Sequence, residues 1–168
     1  MTTQIPPLRF ALFACSADGS HPLYRGSYPI SASNQTFLLT LDIRTVISLT
    51  PTSPTSALAL LADAGIELVH VQTKKVKDGT LPFSYTVMRQ LIERLLDKHT
   101  YPVYIHDLDG SDALCLVLGC LRKVQGYTID ACTAEMCRFV LTIFLRAVGK
   151  MVLMERLGEV QILEGTTA

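Results

Sequence analysis

Residues 104–123, YIHDLDGSDALCLVLGCLRK, place histidine and aspartate side chains between an apolar strand-like segment and a helical segment. A glycine-containing loop that leads from a strand into a helix N-terminus is a ready anion site, because free backbone N–H groups converge there. We therefore expect this loop to be the candidate phosphate site. Its residues are His106, Asp107, Leu108, Asp109, Gly110, Ser111, Asp112 and Ala113.

The string from Asp107 to Ser111 resembles the Asp-x-Asp-Gly-Thr motif of haloacid-dehalogenase-type phosphatases, in which an aspartate is the nucleophile. That chemistry also requires acidic magnesium ligands and a lysine on later strands. The segment after Ser111 contains no paired acidic residues at a strand end, and the motif normally opens its domain. This alternative therefore explains only five residues of the chain.

The elements that must position the loop alternate between strands and helices. The first two predicted strands are separated by a turn-rich stretch and should form a hairpin. The pattern predicts an α/β fold with a central, mostly parallel sheet of four or five strands flanked by helices. Predicted strands are 9–15, 23–25, 45–49, 66–71 and 101–106, and predicted helices are 37–41, 56–64, 84–99, 112–125, 130–145 and 149–158.

Composition limits the classes of function. The chain has 168 residues, of which 49% are hydrophobic, so one domain (1–160) with a tail (161–168) is expected. Zero net charge argues against nucleic-acid binding, and no apolar run approaches the ~20 residues that span a bilayer. Five cysteines without a CxxC pair or a signal peptide indicate reduced, buried thiols in a cytoplasmic protein without a bound metal or cofactor.

Several separated segments form a pattern along the chain: LYRGSYP (23–29), FLLTLDIRTVISL (37–49), GIELVHV (65–71), PVYIH (102–106) and the helical segments 119–123 and 135–139. In this order they resemble the plant and fungal atypical dual-specificity phosphatases, including the fungal oxidant-induced cell-cycle arrest family. The resemblance spans residues 23–157 and implies the Cys-dependent phosphatase fold.

The resemblance implies a His-Cys-x5-Arg loop, in which a thiolate attacks phosphorus while an arginine fork and loop amides hold the oxygens. Aligned without gaps, His106 keeps the histidine position, Asp107 takes the cysteine position, and Ala113 takes the arginine position. We therefore predict that the chain is not an enzyme. It would be a pseudophosphatase subunit or scaffold, linked to inositol pyrophosphate or phosphoprotein signalling, that assembles with other phosphatase-family subunits or with itself.

Other side chains of the sequence are candidate nucleophiles. Cys132 to Arg138 matches C-x5-R but lies in a helical pattern without glycines, and the residue six positions after Cys115 is a leucine. Asp107 could attack phosphorus with magnesium, or the loop could simply bind an anion. Each aspartate ~4 Å from a bound phosphate charge costs about 4 kcal/mol at an effective dielectric near 20. The alternative is that the aspartates cap the helix and sit in solvent.

Five further patterns lie outside the loop. The helices 130–145 and 149–158 carry more apolar residues than one buried face requires, which predicts a partner surface. The lysines of 74–77 are predicted to be a solvated charge run. Arg25 is predicted to form a structural ion pair, His70 to be structural, and His99 to end a helix.

Overall fold

A computed structural model describes residues 4–14, 19–74 and 81–138. Its centre is a five-stranded sheet in the order β1-β2-β5-β3-β4. Strand β1 is antiparallel to β2, whereas β2, β5, β3 and β4 run parallel to one another. The strands are β1 (Ala11–Ala14), β2 (Leu23–Ser27), β3 (Thr45–Thr50), β4 (Glu67–Gln72) and β5 (Val103–Asp107).

Helices cover the sheet, and several begin at the side-chain caps that the sequence supplies. Ser31 forms a capping box with Asn34, and Ser84 and Thr128 each accept a hydrogen bond from a backbone amide three residues later. The helices are α1 (Ala32–Leu39), α2 (Ala59–Asp63), α3 (Tyr85–Leu96), α4 (Asp112–Val124) and α5 (Ile129–Cys137), and a 3-10 turn spans Lys98–Thr100.

Strand β5 carries the candidate loop and is buried along its whole length between β2 and β3. Val103 and Ile105 pack into the core beneath α3, α4 and α5. Tyr104 points to the opposite core, which α1 and α2 cover. Because successive side chains of a strand alternate between faces, β5 fixes the loop at its carboxyl end from both cores.

The α/β architecture, the hairpin and the central strand before the loop are confirmed. Several bounds differ: α1 begins at Ala32 rather than at 37, and α2 is shorter than 56–64. Helix α3 ends at Leu96, so His99 lies in the 3-10 turn and does not end a helix. Cys137 is exposed, contrary to the prediction of buried thiols, whereas Cys115, Cys120 and Cys132 are buried.

Several predictions fall partly or wholly outside the described residues, including the buried thiol of Cys15 and most of the lysine run 74–77. Of the predicted helix 130–145, only the part within α5 is described, and the predicted helix 149–158 and the tail 161–168 lie beyond it. The proposed partner surface on those helices stays a prediction. Within 4–14, 19–74 and 81–138, no helix is long and apolar enough to cross a membrane.

Candidate active site

The Asp107 carboxylate is the focus of the loop's backbone amides. Its Oδ1 accepts hydrogen bonds from the N–H groups of Gly110 (2.6 Å) and Ser111 (3.1 Å), and its Oδ2 accepts one from Leu114 (3.1 Å). The residue is only 5% exposed. Burial raises the pKa of Asp107, and the three amides act in the opposite direction. The loop thus concentrates its donors on one anionic group at the end of β5.

His106, the residue before Asp107, is fixed in its neutral form by its neighbours. Its Nδ1 lies 3.2 Å from the Asp107 carbonyl oxygen, and its Nε2 lies 2.8 Å from Ser48 Oγ. Because a carbonyl only accepts, Nδ1 carries the proton and Nε2 accepts from Ser48. The ring packs against Tyr28 and Tyr104. Burial lowers the pKa of His106 to about 4.

Arg25 reaches the loop from β2 and is 1% exposed. Its Nη2 donates to the Gly110 carbonyl oxygen at 2.6 Å, and both terminal nitrogens lie 3.8 Å from Cys115 Sγ. These bonds of Arg25 go to a carbonyl and a thiol, and its structural ion pair stays a prediction. Burial raises the pKa of Cys115, which the Arg25 charge offsets in part. A buried cation thus lies beneath the loop.

Gly110 is required by the way the loop lies on β2. Its φ is +79°, a conformation that side-chain-bearing residues rarely adopt. A Cβ at this position would come within 3.2 Å of the Gly26 carbonyl carbon and the Ser27 nitrogen. Glycine therefore allows the loop to approach β2 closely enough for the bond between Arg25 and Gly110.

The outer rim of the loop is polar and accessible. Asp109 Oδ1 accepts from the backbone N–H (3.2 Å) and the hydroxyl (2.5 Å) of Ser111. Arg9, from the segment before β1, donates to the Asp109 carbonyl oxygen at 2.7 Å and lies 3.6 Å from its carboxylate. Leu108 is exposed beside them, at 60% of its surface. The rim therefore carries both signs of charge.

Ala113 is buried in the first turn of α4, and Asp112 is the first residue of that helix. The alternative that the aspartates sit in solvent is wrong for Asp107, which is buried and accepts hydrogen bonds from backbone amides. Among the residues the structure describes, no group of three or more His, Cys, Asp or Glu side chains is arranged to hold a metal ion.

Two other candidates outside the loop have structural roles. Cys132 lies within α5, and Glu135 of the same helix forms an ion pair with Arg122 of α4 at 2.8 Å, so the C-x5-R string is not a loop. His70 Nε2 lies 2.9 Å from the carbonyl oxygen of Thr50 on the neighbouring strand. These contacts join secondary-structure elements and do not face the Asp107 loop.

The sequence profile of the tyrosine phosphatase family matches residues 4–147. The chain belongs to the tyrosine phosphatase family. Within that family, the putative tyrosine-protein phosphatase OCA6 of Saccharomyces cerevisiae is 32% identical over 137 residues, covering 72% of this chain and 58% of that protein. Inositol diphosphatase DSP1 of Oryza sativa subsp. japonica is 30% identical over 136 residues, covering 80% of this chain and 58% of that protein. The resemblance to plant and fungal atypical dual-specificity phosphatases is confirmed.

Solved structures agree on the fold. The core catalytic domain of PP-IP phosphatase SIW14 from S. cerevisiae, in complex with citrate, matches with a TM-score of 0.71 at 24% identity, covering 88% of this chain and 87% of that chain. The chain thus has the tyrosine phosphatase fold. It spans 58% of the length of each of the two curated relatives described above.

These findings contradict the prediction that the chain is not an enzyme. Relatives with similarity along most of the chain are named inositol diphosphatases. The structure also brings Arg25 and Cys115 to the loop in which the gap-free alignment assigns Asp107 and Ala113 to the cysteine and arginine positions. The prediction is wrong because the loop residues alone do not show which groups the fold brings to the loop from other elements.

The sequence contains an indication that Arg25 has buried polar partners. It lies in LYRGS, a segment that is otherwise apolar or small and that the family resemblance places in a strand. A charged residue in a buried strand needs polar partners, because an unpaired buried charge is very costly. What the sequence does not show is that its partner, Gly110, lies 85 residues later.

Proposed function

We propose that this tyrosine phosphatase family member hydrolyses the phosphoanhydride of inositol pyrophosphates, with the loop 107–114 as its phosphate site and Asp107 as its nucleophile. The observation that carries the proposal is the convergence of three backbone amides on the Asp107 carboxylate. The proposal is supported by the gap-free alignment, which gives Asp107 the nucleophile position of the family pattern, and by its location at the carboxyl end of the central strand.

The substrate class is supported by relatives and by leaving-group chemistry. Rice and Arabidopsis relatives are named inositol diphosphatases. When a phosphoanhydride is cleaved, the leaving group is a phosphate, whose second pKa is about 6. A tyrosine leaving group, with a pKa of about 10, would instead need a proton from a general acid. A site centred on carboxylates is therefore better suited to the anhydride.

The proposed reaction has two steps. A carboxylate oxygen of Asp107 forms a bond to the terminal phosphorus while the bridging P–O bond breaks, and the inositol phosphate leaves with the electron pair of that bond. Water then hydrolyses the aspartyl phosphate, which releases inorganic phosphate and a proton and restores the carboxylate. The amides of Gly110, Ser111 and Leu114 are freed to hold phosphate oxygens as the carboxylate reacts.

Repulsion between Asp107 and phosphate must be offset for this chemistry. The N-terminus of α4 contributes a positive field, because its amides converge on the loop. Arg25 adds a full positive charge beneath Gly110, in a site that excludes water. Charges act more strongly in such surroundings than in water, so a cation held outside the loop can replace one within it.

The test compares turnover of an inositol pyrophosphate by wild type, Asp107→Asn and Cys115→Ser, each assayed with magnesium and with a chelator. Asp107→Asn keeps the shape and one oxygen acceptor but removes the nucleophile, so turnover should fall by about 10⁴-fold or more. Cys115→Ser should retain turnover within about threefold, because its buried thiol is not required. Circular dichroism and melting temperatures verify that both variants fold.

The outcomes separate the possible assignments. Wild type that releases no phosphate above the blank contradicts the proposed function. Turnover that survives Asp107→Asn but is lost in Cys115→Ser would transfer the nucleophile to the thiol beside Arg25. The expected assembly with other phosphatase-family subunits stays a prediction, which co-purification from the native cell would test.

A further inference from the structure

Arg9 lies against the candidate loop although it is 100 residues away in the chain. Its Nη1 donates to the Asp109 carbonyl oxygen at 2.7 Å and lies 3.6 Å from Asp109 Oδ2. Its own Cβ is so close to Gly110 that a Cβ added there would lie 3.3 Å from it. The side chain thus begins beside the loop and ends on its rim.

The backbone of Arg9 is held in an uncommon conformation, with φ at +55°. Residues with a side chain adopt this region at a cost in free energy, and they persist there only where the surroundings determine the conformation. Both neighbours supply such restraints. The Leu8 carbonyl accepts from Ser27 N–H at 2.8 Å, and the Phe10 ring packs against Tyr24 and Phe37. The strained residue is therefore aimed at the loop by fixed contacts on either side.

The chemistry of Arg9 matches what the loop lacks. Ala113 occupies the position at which the family pattern has an arginine, so the loop itself supplies no guanidinium. A guanidinium has five N–H donors in a planar fork that fits phosphate, and the bond to the Asp109 carbonyl uses one of them. The Arg9 side chain is 38% exposed and the Asp109 side chain is 64% exposed. Because both side chains are exposed to water, the ion pair between them is weak, and a phosphate group can replace it.

We propose that Arg9 is a substrate-binding residue that contacts the phosphate held by the loop 107–114, exchanging its contact with the Asp109 carboxylate for one with phosphate. The inference rests on the proposed function and deepens it, because it assigns the accessible cation of the same site. Arg25 acts from beneath the loop, whereas Arg9 acts from its rim.

The test measures inorganic phosphate binding by calorimetry and the KM for an inositol pyrophosphate in four variants of the full chain. Arg9→Gln should weaken phosphate binding and raise KM by about tenfold, because a charge-assisted hydrogen bond is lost. Arg9→Lys should recover part of the affinity. Arg44→Gln is the matched control: Arg44 is exposed, donates to the His99 carbonyl at the opposite end of the sheet, and should leave both quantities unchanged.

Asp109→Asn distinguishes phosphate binding from simple ordering of the loop. The asparagine amide oxygen can still accept hydrogen bonds from Ser111, but the substitution removes the negative charge that competes with phosphate for Arg9. We expect phosphate to bind about threefold more tightly, because a nearby repulsive charge is gone. If Arg9 only ordered the loop through Asp109, both Arg9→Gln and Asp109→Asn would weaken binding. Changes of phosphate affinity in opposite directions in the two variants support the proposal, and changes in the same direction overturn it.

Failure of this inference is separable from failure of the proposed function. Unchanged phosphate affinity and KM in Arg9→Gln, with wild-type turnover intact, would overturn the role of Arg9 alone. Wild type that binds phosphate through Arg9 without any turnover would overturn the role of Asp107 and leave the inference standing. Wild type that binds no phosphate would overturn the inference. Melting curves for each variant establish that the fold is retained.

Discussion

Hydrogen bonds with backbone groups offset the cost of burying Asp107 and Arg25 at the end of β5. Asp107 is surrounded by backbone amides, and Arg25 lies under the same loop against a carbonyl and a thiol. Both are nearly inaccessible to water. A loop built in this way keeps its shape through hydrogen bonds that salt screens only weakly.

His106 should make the domain sensitive to acid. Its pKa is about 4 in the folded protein, against 6.5 for an exposed imidazole, because burial disfavours the charged ring. The folded state therefore binds the proton less readily than the unfolded state. The resulting contribution of His106 to the free energy of unfolding is about 3 kcal/mol. It is fully present above pH 6.5 and is lost as the pH falls toward 4.

The measurement is urea unfolding of wild type and His106→Asn between pH 7.5 and 4. Wild type should be more stable at pH 7.5, since the variant loses packing against Tyr28 and Tyr104. The difference in unfolding free energy between the two proteins should shrink steadily below pH 6.5. A difference that stays constant down to pH 4 would show that His106 is not the titrating group.

At the scale of elements, the pairing of β2 with β5 depends on a glycine. Gly26 lies opposite His106 in the parallel register, and a Cβ on it would come within 2.4 Å of the Tyr104 hydroxyl oxygen. That hydroxyl donates to the Ser27 carbonyl at 2.6 Å, so it is not free to move away. Gly26→Ala should therefore lower the free energy of unfolding by about 1–3 kcal/mol, as overpacking does elsewhere.

A second substitution shows whether the clash is the cause. Tyr104→Phe removes the hydroxyl at a cost of about 1 kcal/mol, and Gly26→Ala should be less harmful in that background than in wild type. Gly65→Ala is the control, because φ is +81° at Gly65 but no atom lies within 4 Å of the added Cβ. Its cost should be the same with or without the Tyr104 hydroxyl. Additive costs for Gly26→Ala and Tyr104→Phe would exclude the steric explanation.

Local sequence patterns predict the bounds of the continuous apolar helices and strands well. The predicted strand 101–106 and helix 112–125 agree closely with β5 and α4, because both are continuous apolar segments buried by the fold. Helix α1 was predicted to begin too late, since its first turns contain Ser33, Asn34 and Thr36, which are weak helix formers. The Ser31 capping box and burial of Leu38 against α2 stabilise those turns.

Non-local contacts explain what the sequence could not predict about the site. The loop and its donors follow from the glycine and the strand-to-helix transition, both of which are local. Arg25 and Arg9 reach the loop across 85 and 100 residues, through the parallel register of β2 and β5 and the path of the segment before β1. No periodic pattern in the sequence predicts contacts between residues so far apart in the chain.

At the scale of the whole molecule, the described thiols divide into one accessible and three inaccessible groups. Cys137 is exposed, whereas Cys115, Cys120 and Cys132 are buried. Burial also raises the pKa of Cys120 to about 12 and raises that of Cys115. Since the thiolate is the reactive form, neutral-pH alkylation should be fast at Cys137 and slow at the buried three.

Iodoacetamide labelling followed by peptide mass spectrometry measures each cysteine separately. We expect Cys137 to react at least about a hundredfold faster than Cys115, and phosphate release to continue in the labelled protein. Urea at a concentration that unfolds the chain should equalise the rates. Rapid modification of Cys115 in the native protein, accompanied by loss of turnover, would contradict the assignment of Asp107 as nucleophile.

The position of β5 between β2 and β3 also sets the order in which the sheet can assemble during synthesis. Leu23 pairs with Val103, about 80 residues later, so at ~5–20 residues per second β2 waits roughly 4–16 s for its parallel partner. Until then the β1–β2 hairpin and the β3–β4 pair are separate, and each presents an edge that could join another chain. Emergence of β5 joins the two halves in one event. The strand that carries the candidate phosphate loop is therefore also the strand that covers the inner edges of β2 and β3.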